Sequence, residues 1–320
     1  MNTIFPQSLC ITLWKSLDRM YLKSCRTRTF EKLHTACAAR LLVLAVLILS
    51  VACGPTGPAP AAGPLAILIT NDDGIEAPGI VALAEALRPL GTVTVAAPDR
   101  GRSGASHGVT SDRPIAVREA ERDGIRWFAI DALPATCVRL AVEKLLPAKP
   151  DIVISGINSG ENLGTVTFYS ATVGAAREAA LLGLPAMAVN LAARGGMGYG
   201  TAAAVTAEII RTLGRGGIAR GTFLNVNVPP LPRERLRGLR VVRQDTRAPI
   251  DFFEEITSPD GRTFYKPGWK HLEPAGENTD IWAVRNGYVA VSVFGIDQSA
   301  AAPPAASLAV KRLERLFSVD

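Results

Sequence analysis

Cysteine is nearly absent from the part of this 320-residue chain that can fold, and its scarcity excludes whole classes of site. Of 5 cysteines, Cys10, Cys25, Cys37 and Cys53 fall within the first 53 residues, which leaves Cys137 alone in the remainder. A single thiol rules out an internal disulfide or a cysteine metal cluster there. It reads instead as a small buried apolar residue. Missing too is any apolar run of the roughly 18 to 20 residues that a permanent membrane-spanning helix needs. A basic surface is lacking once the formal charge of +6 is located. Residues 1–40 carry Lys15, Arg19, Lys23, Arg26, Arg28, Lys32 and Arg40 against Asp18 and Glu31, leaving 28 basic and 27 acidic residues beyond them. A near-neutral body gives no warrant for binding polymeric nucleic acid.

What is present begins with a leader. Arg40 is followed by Leu41-Leu42-Val43-Leu44-Ala45-Val46-Leu47-Ile48-Leu49 and then Ser50-Val51-Ala52-Cys53-Gly54. A charged segment, a short apolar run and small residues are the pattern of an export signal. The small residues before Cys53 resemble a bacterial lipoprotein box, although Ser50 and Val51 depart from its usual Leu-Ala/Ser. The expectation is a leader over 1–53, an exported protein of the cell envelope or periplasm, and a lipid anchor at Cys53 as its one link to a membrane. Residues 54–64, GPTGPAPAAGP, cannot sustain a helix and read as a tether. The folded domain is expected over 65–320.

From Leu65 short apolar runs alternate with helical patterns. Strands are expected at 65–70, 92–97, 127–130, 151–155, 186–190 and 223–228, and helices at 78–90, 135–146, 173–182 and 200–213. Fully apolar strands interleaved with helices predict an α/β fold with a doubly wound, mostly parallel sheet covered on both faces. After Pro229-Pro230 the segments turn polar, with Phe252, Phe253, Phe264, Tyr265 and Trp269 scattered among Gly and Pro. This predicts a β-hairpin excursion over about 240–280. A last strand near 287–294 and a C-terminal helix at 306–317 complete the reading.

Ligands of such sheets bind beyond the carboxyl ends of the strands. Three loops in that position carry oxygen donors and glycine: Thr70-Asn71-Asp72-Asp73-Gly74, then Pro98 to Ser106, then Ser155 to Gly164. Adjacent buried carboxylates repel unless a cation or strong donors neutralise them. Asp72, Asp73, Ser103 and Asn158 offer a hard divalent ion such as Mg²⁺ or Mn²⁺ an all-oxygen set, without the His or Cys that favours zinc. Taken alone, Asp-Asp-Gly is equally a turn whose Asp caps the helix near Pro78.

Within Gly156–Gly164 the backbone N–H groups are expected to approach an anion closely. Gly156, Ser159 and Gly160 are therefore phosphate candidates beside Asn71 and Ser106. Ser170 and Thr172, just ahead of a helix, either donate to phosphate or simply cap that helix. The loop lacks G-x-G-x-x-G, so it is not a dinucleotide fingerprint, and no Gly-Lys-Ser/Thr ends it as a Walker loop would. Arg100 and Arg102 read equally as phosphate ligands or solvated loop residues. His107 is either a proton carrier or merely polar.

Together these loops resemble the survival protein SurE family of 5′-nucleotidases. The resemblance rests on ILITNDDGIEAPGI, APDRGRSGAS, SGINSGENLG, YSATVGAAREAALLGLPAMAV and LNVNVPP, in order from Leu65 to near Ser299. It implies a Rossmann-like domain with an extended hairpin and C-terminal swapping, in a homodimer or homotetramer. It further implies one divalent metal ion per subunit on Asp72, Asp73, Ser103 and Asn158. The implied reaction is that of a phosphoric monoester hydrolase, releasing phosphate from nucleoside 5′- and 3′-monophosphates and sometimes short polyphosphate.

Asp72, Asp73 and Asn158 are the expected catalytic residues. Water attack and a covalent aspartyl-phosphate on Asp72 both remain open. The family usually has Tyr-Ser-Gly-Thr where Tyr169-Ser170-Ala171-Thr172 stands, and often an acidic residue where Thr165-Val166-Thr167 stands. It is also chiefly cytoplasmic, against the leader. The Ala171 departure motivates one alternative, an envelope nucleotide- or metal-binding protein without turnover; in another, the two aspartates only cap a turn in an inert α/β scaffold.

Overall fold

A computed structural model describes residues 63–299, apart from 194–196, 248–249, 271–272 and 274–275. The leader, Cys53, most of the tether and the helix expected at 306–317 lie outside the described residues. Among the described residues no helix is long and apolar enough to cross a membrane.

The strands are β1 (Leu65–Thr70), β2 (Gly91–Pro98), β3 (Val117–Arg122), β4 (Ile125–Ile130), β5 (Ile152–Ser159), β6 (Ala186–Leu191), β7 (Thr222–Val228), β8 (Leu239–Val241), β9 (Ile250–Thr257), β10 (Thr263–Lys270) and β11 (Val289–Gly295). The helices are α1 (Pro78–Leu87), α2 (Pro134–Leu140), α3 (Ala171–Leu181), α4 (Tyr199–Leu213) and α5 (Asp280–Arg285). A 9-stranded sheet runs in the order β3-β4-β2-β1-β5-β6-β7-β11-β8. Its centre is parallel, and only β3 against β4 and β11 against β7 are antiparallel. The hairpin excursion is real: β9 and β10 pair with each other as a separate sheet.

The period-two alternation of strand side chains feeds two cores of different grain. Ile67 and Ile69 of β1, Val93 and Val95 of β2, and Met187 and Val189 of β6 meet Ile80, Leu83 and Leu87 of α1 and Ile209 and Ile210 of α4. On the opposite face Leu68, Ala96, Val153, Ala186 and Ala188 meet Val138 of α2 and Ala175, Ala176, Ala179 and Ala180 of α3. Cys137 is fully buried in this second core, and burial pushes its thiol well up.

β1 carries β2 on one side and β5 on the other, both parallel. The chain therefore winds outward in one direction from β1 and later in the other. That reversal opens a crevice at the carboxyl ends of β1 and β5. β5 runs on to Ser159 past a register shift between Ser155 and Asn158, which carries Asn158 to the crevice edge.

Candidate active site

The crevice is a cleft of about 690 Å³ walled by Asp72, Ser103, Gly104, residues 158–166, Tyr169, Ser170, Ala192, Ala193, Arg247, Ile281 and Arg285. Asp72 lies two residues beyond the end of β1 and Asp73 follows it. Asp72 is buried and its Oδ1 accepts from the Thr172 hydroxyl at 2.6 Å. Asp73, half-buried, accepts from the Ser159 backbone N–H at 2.9 Å. Burial pushes the Asp72 carboxyl up to about 6, with the Thr172 hydrogen bond opposing and the neighbouring Asp73 charge adding to the rise. Burial also raises Asp73, against the Ser159 N–H. Two desolvated carboxylates side by side are a place where positive charge is favoured.

The loops are locked to one another by backbone contacts. The Arg102 N–H donates to the Asp72 carbonyl at 2.7 Å. Gly74, at φ +101, lies so close to Arg100 that a Cβ would sit 3.0 Å from its carbonyl carbon. Ser106 donates from its hydroxyl to the Phe168 carbonyl at 2.5 Å and from its backbone N–H to Tyr169 at 3.1 Å. These bonds tie the loop bearing Ser103 to the entry of α3.

Most of the residues singled out from sequence meet here, though in altered roles. Asp72, Ser103, Asn158, Ser159, Gly160 and Ser170 line the cleft, and Asp73 stands behind Ser159. Asn71, Ser106, Gly156 and Thr172 do not line it. Asn71 is buried and donates to Gly74 within its own turn, whereas a Cβ on Gly156 would meet the Val189 carbonyl of β6 at 2.4 Å. Thr172 spends its hydroxyl on Asp72, and Ser170 caps α3 by accepting from Val173 N–H while keeping a face on the cleft.

The glycine-rich loop was expected to present its N–H groups to an anion. The structure uses them elsewhere: Ser159 N–H goes to Asp73, Gly160 to the Leu191 carbonyl, Asn162 to Asn227 Oδ1 and Gly164 to Asp280 Oδ2. Backbone groups already satisfied inside the protein are not free to cradle phosphate.

Arg100 and Arg102 turn to Asp99 and Asp131, where Arg113 joins them. His107 hydrogen-bonds through Nε2 to Glu178 at 2.8 Å, and Arg139 closes on the other oxygen of the same buried carboxylate. Burial raises the Glu178 carboxyl, but the hydrogen bonds of His107 and Arg139 outweigh it and hold the group below the usual range. None of these side chains lines the cleft.

Sequence reading passed over a buried asparagine ladder behind the cleft wall. Asn162 Nδ2 donates to Asn190 Oδ1 at 2.6 Å, and Asn190 Nδ2 donates to Asn225 Oδ1 at 2.8 Å and to the Val226 carbonyl at 2.9 Å. Asn225 and Asn227 return to the Asn162 carbonyl at 2.8 and 3.1 Å. The N-V-N of β7 was the available signal, since alternate strand residues share a face. Arg247, Ile281 and Arg285, on the other wall, carried no motif.

No group of three or more His, Cys, Asp or Glu side chains gathers among the described residues. The donor set is two carboxylates supplemented by the neutral oxygens of Ser103 and Asn158. Asn158 commits Nδ2 to the Gly160 carbonyl, which leaves Oδ1 as its ligating atom. That chemistry fits a hard divalent ion and not a soft one.

Residues 67–250 match the family model described as Survival protein SurE. The chain belongs to the SurE family. A 5′-nucleotidase SurE of Geobacter sulfurreducens is 48% identical over 238 residues, spanning 72% of this chain and 88% of the relative. A 5′/3′-nucleotidase SurE of Klebsiella pneumoniae is 46% identical over 237 residues, 73% and 91% of the two chains. The crystal structure of SurE protein from Aquifex aeolicus superimposes with a TM-score of 0.68 at 38% identity, covering 78% of this chain and 99% of that one. Asp72, Asp73, Ser103 and Asn158 all fall inside the span matched by the SurE model.

Proposed function

We propose that this chain is a divalent-metal-dependent nucleotidase that hydrolyses nucleoside monophosphates to nucleoside and phosphate. The adjacent carboxylates of Asp72 and Asp73 at the switch point, with Ser103 and Asn158 beside them, carry this reading. The 5′- and 3′-nucleotidase names of the SurE relatives support it. Asp72, Asp73, Ser103 and Asn158 would hold one Mg²⁺ or Mn²⁺ ion. Bound there, the ion supplies Lewis acidity toward a phosphoryl oxygen and acidifies a water molecule.

The protein's own part is to place and neutralise the phosphate. The Ser170 side chain and the first turn of α3 present dipoles and donors to the phosphoryl oxygens, and Ser103 faces them from the second loop. Asp73, held by Ser159, orients the attacking water. In the competing covalent route the Asp72 oxygen not bonded to Thr172 attacks phosphorus as the P–O bond to the nucleoside breaks, the nucleoside leaving with a proton taken from water. Water then hydrolyses the aspartyl-phosphate to restore the carboxylate. Acid-stable capture of a phosphorylated Asp72 during turnover would decide for it.

The reading without turnover rested on Ala171. That residue is fully buried and absent from the cleft wall, so its methyl does not crowd a ligand. Exposed Phe252, Phe253, Phe264 and Tyr265 on the hairpin support assembly into a homodimer or homotetramer, which sedimentation of a Phe253→Ser, Tyr265→Ser variant would test. Export and lipidation at Cys53 rest on the leader alone. Fractionation of cells expressing the chain and a Cys53→Ala variant tests both.

The deciding experiment is phosphate release by the full chain from nucleoside monophosphates and p-nitrophenyl phosphate, with Mg²⁺, Mn²⁺ or EDTA, beside Asp73→Asn. Release lost with both EDTA and the substitution is expected. A folded protein that binds Mn²⁺ yet releases nothing from any substrate would overturn the reading.

A further inference from the structure

The far half of the cleft is chemically unlike the half that holds the carboxylates. Its walls are apolar: Leu163 and Ile281 are nearly fully buried, Val166 joins them, and Tyr169 stands 53% exposed at the rim. Among its polar groups is the Arg247 guanidinium. Nε and Nη2 form a two-pronged bond to the buried Asp245 carboxylate at 2.9 and 2.7 Å, and Nη2 also donates to the Glu273 carbonyl at 2.7 Å. Among the described residues Nη1 has no hydrogen-bond partner.

Charge decides what such a place accepts. Arg247 is matched by Asp245, whose carboxyl it holds below the ordinary range, and Arg285 on the same wall is matched by Glu161 at 3.1 Å. With each cation neutralised, this end offers no net attraction to a second anionic group. An apolar-walled slot into which Arg247 Nη1 can turn N–H donors not spent on Asp245 or Glu273 suits a neutral aromatic ring whose edge carries hydrogen-bond acceptors. Guanine and hypoxanthine present adjacent acceptors at O6 and N7, whereas adenine replaces O6 with an amino donor that would oppose Nη1.

We propose that this half of the cleft is a nucleobase subsite in which Arg247 Nη1 selects 6-oxopurines. The proposal rests on the nucleotidase reading for its place in a reaction, and on the Arg247 geometry for its selectivity. Asp245 is a positioning residue here, since it fixes the guanidinium plane without facing the ligand.

The test compares kcat/KM for GMP, IMP, AMP, CMP and UMP in the wild type and in Arg247→Lys, which retains a cation for Asp245 but loses the fork. Arg247→Gln serves as the second variant, and thermal unfolding checks the fold of both. GMP and IMP are expected to exceed AMP by about tenfold, the discrimination of one good donor–acceptor pair, and both variants should bring the ratio close to one. Activity without that preference, or a preference that survives both substitutions, would overturn the subsite and leave the nucleotidase reading standing. Absence of release from p-nitrophenyl phosphate and every nucleotide would sink the nucleotidase reading instead. In that case calorimetric binding of guanosine against adenosine decides the subsite, equal affinities refuting it.

Discussion

Replacing Asn190 by Ala removes the hub of the asparagine ladder. The side chain is fully buried, accepts from Asn162, and donates to Asn225 Oδ1 and the Val226 carbonyl. Truncation strands one donor and two acceptors in a place water does not reach. Each group left unsatisfied costs about 1 to 3 kcal/mol, and partial relaxation brings the total to about 3 to 5 kcal/mol. Against a stability of about 5 to 15 kcal/mol that loss is large. It should lower the unfolding midpoint by about 10 °C in a domain of this size. Urea unfolding and thermal melts of the full chain measure it. Asn225→Ala, alone and combined with Asn190→Ala, supplies a cycle in which the double variant loses clearly less than the sum, because each truncation has already stranded the other's partner. Additive losses, or a cost for Asn190→Ala below about 1 kcal/mol, would refute the claim that the ladder acts as one unit.

Thr172→Val should weaken Mn²⁺ binding at neutral pH. It removes the donor to Asp72 Oδ1, so a carboxyl already pushed up to about 6 rises further and the proton competes with the ion up to about one pH unit higher. Mn²⁺ titrations that superimpose on the wild type at every pH would refute this. Glu178 has a depressed carboxyl, so the stability it contributes is complete above the ordinary carboxylate range and is lost as pH falls through its lower folded value. Glu178→Gln should be less stable at neutral pH and flatter against acid in denaturant melts, and an unchanged acid limb would count against it. Gly174→Ala places a Cβ 2.4 Å from the Ser106 carbonyl and 2.9 Å from His107 Cα. Pushing α3 off the Ser103 loop should cost about 1 to 3 kcal/mol and reduce Mn²⁺ affinity, seen by melting and titration together.

The central strands were legible because they are buried on both faces: LAILIT, IVISG and AMAVNL carry the apolar runs that only a covered sheet requires. β3 was not, since VREAER pairs at the sheet edge with nearly every side chain exposed and shows neither a run nor an alternation. β8 and α5 are short and lie among the turns around the hairpin, where pattern has too few residues to speak. In the site, the carboxylate pair could be read because one loop carries it. Arg247 and the asparagine ladder could not, because their partners are brought together from the loop after β5, from β6 and β7, and from the segments on either side of the hairpin. The same limit applies to Arg102 and His107, whose role depended on Asp131 and Glu178, residues 29 and 71 positions away.

The finer-grained core beneath α3 has a bearing on the chemistry above it. Ala175, Ala176, Ala179 and Ala180 share their core with Ala186 and Ala188 of β6, against which α3 packs, so helix and sheet are separated there by little more than methyl groups. That thin layer sets how far Thr172 must reach to touch Asp72. Enlarging one of those alanines would lift the helix as a shim lifts a hinge, and the gap would open at the carboxylate although no residue of the cleft had changed. The distance tolerance of the site is thus written in the volumes of side chains buried well below it.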